Sequence, residues 1–246
     1  MMNPEIKAKL LEINQIFYQH HSGSFSATRH QVQPGVRRLI DSLQSDARII
    51  DIGCGNGTLA RHLAERGFSG EYLGVDLSAD LLDDARRLLC SPPSGTYIFQ
   101  KIDLAEPNWS ASIPTNNFDW LVAFAVLHHL PGADLRLETV RAFRNLISPH
   151  GRVALSVWQW QNSSRLRKRV IPWSTVGLKP DELDAGDVLL DWRAGDSPGM
   201  RYVHTFSEDR LSELAFKSGF EICDMFYSDG KMGNLALYQV WRRAQK

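Results

Sequence analysis

Asp51-Ile52-Gly53-Cys54-Gly55-Asn56-Gly57, directly after Ile49-Ile50, holds the residues best suited to chemistry. A strand that runs into a turn with glycine at every second position brings bare backbone close to a ligand. Two features separate this turn from a dinucleotide fingerprint: Asp51 stands two residues before the first glycine, and Thr58 replaces the last glycine of a GxGxxG pattern. A pyrophosphate over such a turn is drawn to the positive end of the following helix, and an acid beside it is a poor match. S-adenosylmethionine carries no phosphate, only an ammonium and a sulfonium, so Asp51, Gly53, Gly55 and Gly57 are read as its site. Glu71-Tyr72-Leu73-Gly74-Val75-Asp76 ends in a second acid about 20 residues on, the distance over which a βαβ unit returns to the same edge. Asp76, with Leu77 beside it, is expected to accept the donor's ribose hydroxyls; alone it would read equally well as a capping or solvated acid.

The elements that must hold these residues alternate. Ile6, Leu10, Ile13 and Phe17 recur at helical spacing, so residues 4–20 are expected to form an amphipathic helix, and Pro34 opens another to about Leu43. Then come strand 47–52, helix 57–66 closed by Gly67, strand 71–76, helix 78–90 capped by Ser78, and strands 96–101 and 118–124. Helix 133–146 and strand 151–158 follow, with Pro149-His150-Gly151 breaking the chain between them. This order predicts an α/β fold with a doubly wound, mostly parallel sheet. Residues 159–200 interrupt it and are read as an irregular insertion or lid. A helix from Ser207 to Gly219 and strands 220–226 and 234–241, an antiparallel hairpin at the sheet edge, complete the chain. One domain is expected over 1–246: a helical cap (1–45), a donor-binding core (46–158), the insertion (159–200) and the C-terminal helix and hairpin (201–246).

Hydrophobic content of 43% and charged content of 23% are ordinary for a globular chain. Twenty-eight basic and 28 acidic residues cancel, so a nucleic acid would have to meet a local patch. Cys54, Cys90 and Cys223 are odd in number and without paired spacing, which argues for reduced thiols in a cytoplasmic compartment. Cys54 is expected to pack rather than react. No signal pattern, membrane span or metal site is expected.

The order of elements resembles the class I S-adenosylmethionine-dependent methyltransferases, with a Rossmann-like sheet of seven strands, the last antiparallel, under an N-terminal helical cap. The resemblance implies that Asp103 and Leu104, at the end of the third strand, face the adenine. It also implies that Ala125, in Ala125-Val126-Leu127-His128-His129-Leu130, lines the methionine end. Phe25-Ser26-Ala27-Thr28-Arg29, His128-His129, Tyr202-Val203-His204-Thr205-Phe206 and Phe226-Tyr227-Ser228-Asp229-Gly230 are similar to the tRNA wobble-uridine carboxymethyl methyltransferases and the methyltransferase half of their AlkB-homologue relatives. That family methylates the carboxylate of 5-carboxymethyluridine, and its enzymes often work with a small zinc-binding activating partner, so the resemblance implies that such a partner is to be looked for here. The family's Gly-Asn-Trp is Gly233-Asn234-Leu235 here, without the tryptophan, which bears on acceptor choice.

A carboxylate acceptor is ionised at neutral pH and needs no base, but it needs a cation to orient it. Arg29 is the candidate, its guanidinium offering a planar fork; a structural ion pair is the alternative. His128 or His129 would serve as base for a hydroxyl or amine acceptor, or else packs and bonds backbone. His204 and Tyr227 are expected to close the acceptor pocket, or to be buried with satisfied polar tips. The basic run Arg165, Arg167, Lys168, Arg169 would meet tRNA phosphates or solvent. The acceptor is thus a tRNA or a small carboxylate; the rival readings are a small-molecule O- or N-methyltransferase and a non-catalytic donor-binding subunit.

Overall fold

The computed structural model describes residues 2–28, 31–89, 92, 94–192 and 199–245. Helices α1 (Pro4–Thr28) and α2 (Pro34–Ile40) lead into β1 (Arg48–Ile52), α3 (Thr58–Glu65), β2 (Glu71–Asp76), α4 (Ala79–Leu89) and β3 (Thr96–Lys101). Next come β4 (Phe118–Phe124), α5 (Ala133–Leu146) and β5 (Ile147–Trp158), then α6 (Ser164–Arg167), β6 (Val170–Ile171), β7 (Asp187–Trp192) and β8 (Gly199–His204). Helix α7 (Glu208–Lys217) and strands β9 (Phe220–Ser228) and β10 (Ala236–Arg243) end the fold.

Seven strands form one sheet in the order β3-β2-β1-β4-β5-β10-β9. The first five are parallel, and β10 runs antiparallel to both β5 and β9, so the final strand alone is reversed. Period-two side-chain alternation divides the core. Ile50, Leu121, Ala123 and Leu237 face α5 and α7 on one side, whereas Ile49, Trp120, Val122 and Tyr238 face α2, α3 and α4 on the other. Burial on both faces makes the central strands read as continuous apolar runs.

Ser78 caps α4 through a hydroxyl that accepts the Leu81 amide at 3.3 Å, and Ser207 does the same for Arg210 in α7. Three expectations are corrected. Helix α1 does not stop near residue 20 but continues to Thr28, because Gly23 in a helix costs only about 1 kcal/mol and no proline intervenes before Pro34. Strand β5 begins at Ile147, not at Gly151: Ile147 pairs with Phe118 and Arg152 with Trp120, so the ladder is irregular around Pro149 without the strand ending there. Residues 159–200 are not irregular throughout. Strands β6, β7 and β8 form an antiparallel sheet in that order, and α1 packs on β8 through Leu10 and Tyr202. The Gly/Asp-rich composition masked the buried pair Leu189 and Leu190.

Candidate active site

The C-terminal ends of β1 to β5 open on one side, where a parallel sheet leaves a crevice. Here the crevice is a cavity of about 640 Å³, closed from above by α1, α6 and the second sheet.

Strand β1 delivers the glycine turn to its floor. Gly53 has φ +70°, and a Cβ there would lie 2.6 Å from the Val126 side chain. Gly55, also at positive φ, donates its N–H to Asp76 Oδ2 at 2.9 Å. Gly57 does not line the cavity; a Cβ there would lie 2.8 Å from Ala85 Cβ, so this glycine lets α3 and α4 pack. Cys54 is buried and its thiol is pushed well above the usual range by that burial, as a packing residue requires.

Asp51 lines the cavity floor with little access to solvent, and its Oδ2 accepts the Tyr72 hydroxyl at 2.5 Å. Burial pushes its pKa from the ordinary 3.8 to about 7, against the Tyr72 hydrogen bond and with help from the Asp76 charge. Such a carboxyl is ionised most readily when a cation arrives beside it. Asp76 is fixed by two backbone donors, Gly55 N–H to Oδ2 and Ser78 N–H to Oδ1, both at 2.9 Å. Its burial raises the pKa while backbone hydrogen bonds hold it down, and it lines the cavity. Asp103 is held by the Ala105 amide at 2.8 Å, and Leu77, Ile102 and Leu104 make an apolar slot beside it. Ala125 sits at φ +60°, held by its amide's bonds to the Ser156 carbonyl and hydroxyl at 3.0 and 3.1 Å. Strain of this kind at a strand end is common where a site needs a backbone aimed at a ligand. An anionic floor, a pre-oriented carboxylate for a diol, and an apolar slot with an acceptor fit the ammonium, ribose and adenine of S-adenosylmethionine. Asp51 and the glycine turn would hold the aminoacid end, Asp76 the ribose, and Leu77, Asp103 and Leu104 the base.

The loop after β4 carries both histidines into the cavity wall. His129 Nδ1 is 3.2 Å from the Tyr202 carbonyl, which can only accept, so Nδ1 carries the proton. Nε2 then accepts the Tyr18 hydroxyl at 2.9 Å. His128 is almost wholly buried; its Nδ1 accepts the Trp158 amide at 3.3 Å. These bonds give the histidines positioning work.

His204 and Tyr227 do not line the cavity, which corrects the expectation that they close the acceptor pocket. His204 is buried behind the second sheet, donating from Nδ1 to Asp187 at 2.6 Å; burial holds its pKa below the usual value, so this is a hydrogen bond from a neutral ring. Tyr227 is exposed on the far edge, bonded to Glu208. Arg29 and Cys90 lie outside the described residues.

Asn14 was not singled out from the sequence. It accepts the Tyr202 amide at 2.9 Å and donates to the carbonyls of Tyr202 and His129, both at 3.2 Å, joining α1, β8 and the histidine loop. Its signal was a polar residue on the apolar stripe of Leu10 and Phe17. The basic run divides in two. Arg165 and Arg169, four apart, line the cavity, while Arg167 donates to the Gln161 carbonyl at 2.5 Å. Arg201 and Trp192 of the second sheet also line it; no sequence motif marked them.

A profile of a methyltransferase domain matches residues 24–224. A putative methyltransferase of Encephalitozoon cuniculi is 29% identical over 210 residues, covering 85% of this chain and 87% of its own. The tRNA (carboxymethyluridine(34)-5-O)-methyltransferase of Schizosaccharomyces pombe is 26% identical over 237 residues, covering 91% and 94%. S-adenosylmethionine-dependent methyltransferases of known structure from Methanosarcina mazei and Clostridium acetobutylicum share the fold, with TM-scores of 0.64 and 0.65 at 21% and 14% identity. They cover 88% and 94% of this chain and 100% and 99% of theirs.

Proposed function

Because the chain belongs to the methyltransferase-domain family and takes S-adenosylmethionine as donor, we propose that it esterifies a carboxylate, that of a carboxymethyl group on the wobble uridine of tRNA. One observation supports the choice of acceptor: three of the four ring nitrogens of the histidines beside the donor floor are engaged, with Tyr18, the Tyr202 carbonyl and the Trp158 amide, and His128 is almost wholly buried. A carboxylate, already ionised, does not call on them. When bound, S-adenosylmethionine supplies an electrophilic methyl on a sulfonium, and the products are a methyl ester and a neutral thioether.

The chain's own residues have the task of alignment, since near-attack positioning is worth up to roughly 7–11 kcal/mol. Asp76 and Asp103 fix the nucleoside end of the donor, and the glycine turn and Asp51 its aminoacid end. His129, Tyr18 and Asn14 hold the β4 loop against α1 and the second sheet, closing the methyl-bearing side from water. The free thiols of Cys54 and Cys223 suit a cytosolic reaction, and among the described residues no helix is long and apolar enough to cross a membrane.

The likeness to the fission-yeast enzyme along nearly all of both chains supports the uridine. A small-molecule hydroxyl is the second reading, favoured by the Tyr18–His129 hydrogen bond, which could relay a proton from an acceptor hydroxyl. Incubation with methyl-labelled donor and separated RNA and small-metabolite fractions decides between them. Label in an alkali-labile ester of tRNA is expected; label confined to alkali-stable small molecules would overturn the carboxylate.

A further inference from the structure

The cavity is polarised. Asp51 on β1, Asp76 at the end of β2, Asp80 on α4 and Asp103 after β3 line one side, with Lys101 of β3 among them. Asp229, after β9, also lines the cavity, with its two oxygens taken by the Gly35 amide and the Tyr238 hydroxyl. Arg165 of α6, Arg169 just before β6 and Arg201 of β8 line the other side. Arg201 differs from the other two in being buried, 7% exposed, on β8. Its guanidinium carbon lies 4.7 Å from the ring centre of Phe17, 4.8 Å from Trp158 and 5.0 Å from Trp192. Those rings come from α1, the end of β5 and β7, so three separate elements converge to hold one cation. Aromatic faces attract a guanidinium and fix its plane. Arginine stays protonated even when buried and is weakly hydrated, so it suits such a box better than lysine, whose charge is more easily lost on burial and which lacks the planar fork.

We propose that Arg201 is the acceptor-binding residue of this enzyme, its fork grasping the acceptor's carboxylate across the cavity from the donor floor; this rests on the reading that the acceptor is a carboxylate. A fork contact leaves each carboxylate oxygen a further lone pair. One oxygen can therefore remain held while it forms the new carbon–oxygen bond and the carbon–sulfur bond breaks, its electron pair leaving on sulfur. No proton moves. The reaction turns an anion into a neutral ester, so the grip of Arg201 weakens on product formation and favours release.

The test uses the full-length protein saturated with S-adenosylhomocysteine and calorimetric titration with two probe sets. The first is 5-carboxymethyluridine, its methyl ester and its amide; the second is benzoate against benzamide. The wild-type protein is expected to bind each acid at least tenfold more tightly than its neutral counterparts. Arg201→Met should abolish that preference and Arg201→Lys keep part of it, with donor affinity and melting temperature reporting that both variants are folded. If benzoate shows the Arg201-dependent preference and the nucleoside does not bind, Arg201 stands and the uridine falls. If the preference survives in folded Arg201→Met, the assignment to Arg201 is overturned while the carboxylate reading stands. Absence of any preference in the wild-type protein would remove both.

Discussion

Asp51 is a carboxyl buried at the cavity floor at the fold's expense. With its folded pKa near 7 against an ordinary 3.8, the folded state binds more protons than the unfolded state between those values. The advantage of the protonated carboxyl is therefore complete below about pH 4 and gone above about pH 7. Asp51→Asn keeps an acceptor for Tyr72 and removes the charge. Its unfolding free energy should match wild type near pH 4 and exceed it progressively to pH 8, by a plateau of order 4 kcal/mol at most. The same substitution should cost donor affinity. In the wild-type protein that affinity should weaken as pH falls from 8 to 6, because a cation next to Asp51 favours its ionised form; in Asp51→Asn the profile should flatten. A stability difference independent of pH would show that Asp51 is ionised throughout.

Among the elements, the glycine turn and the α1–β8 contact do different jobs with similar-looking residues. Gly53→Ala puts a methyl against Val126 at the cavity floor, and Gly57→Ala puts one against Ala85 between α3 and α4. Both positions also have positive φ. Gly53→Ala should lose donor binding by more than tenfold for a modest loss of stability. Gly57→Ala should lower the melting temperature more, with residual donor affinity close to wild type in the folded fraction. Equal donor affinities in the two variants would contradict this division. Asn14→Leu tests the second contact. It leaves the Tyr202 amide on the outer edge of β8 without its side-chain partner, a loss of about 1–3 kcal/mol, while the Tyr202 carbonyl keeps its bond from His129. It should reduce turnover more than donor affinity, because the His129 loop loses one of its two ties to α1, keeping only that of Tyr18.

At the scale of the whole molecule, 28 basic and 28 acidic side chains leave no general field to draw in RNA. Attraction must come from the arginine side of the cavity. If tRNA is the acceptor, Arg165→Gln with Arg169→Gln should reduce the salt dependence of RNA binding, the log–log slope falling by up to about 1.4 for a single-stranded contact. Replacing Arg167 and Lys168, which do not line the cavity, should change it less. Filter binding of an anticodon stem-loop between 50 and 200 mM salt, roughly the span over which such slopes are read, provides the measurement; equal slopes for both pairs would place the RNA elsewhere.

The alternation of strands and helices, the glycine turn and the acids that line the cavity beside it were legible in the sequence because they are local. A glycine turn, an acid at a strand end and a period of two or 3.6 are each written within a few residues. The basic side of the cavity was not. Arg201 is one arginine among the 28 basic residues until β8 carries it beside Phe17, Trp158 and Trp192. Asn14 acquires a role only when α1 lies along the strand edge at Tyr202. His204, which belongs to a suggestive run of residues, is turned by the pleat of the same strand away from the cavity and onto Asp187. Sequence settles what neighbouring residues dictate to one another; which distant side chains share a desolvated space is decided by tertiary packing, since that space exists only once both sheets and α1 have closed around it.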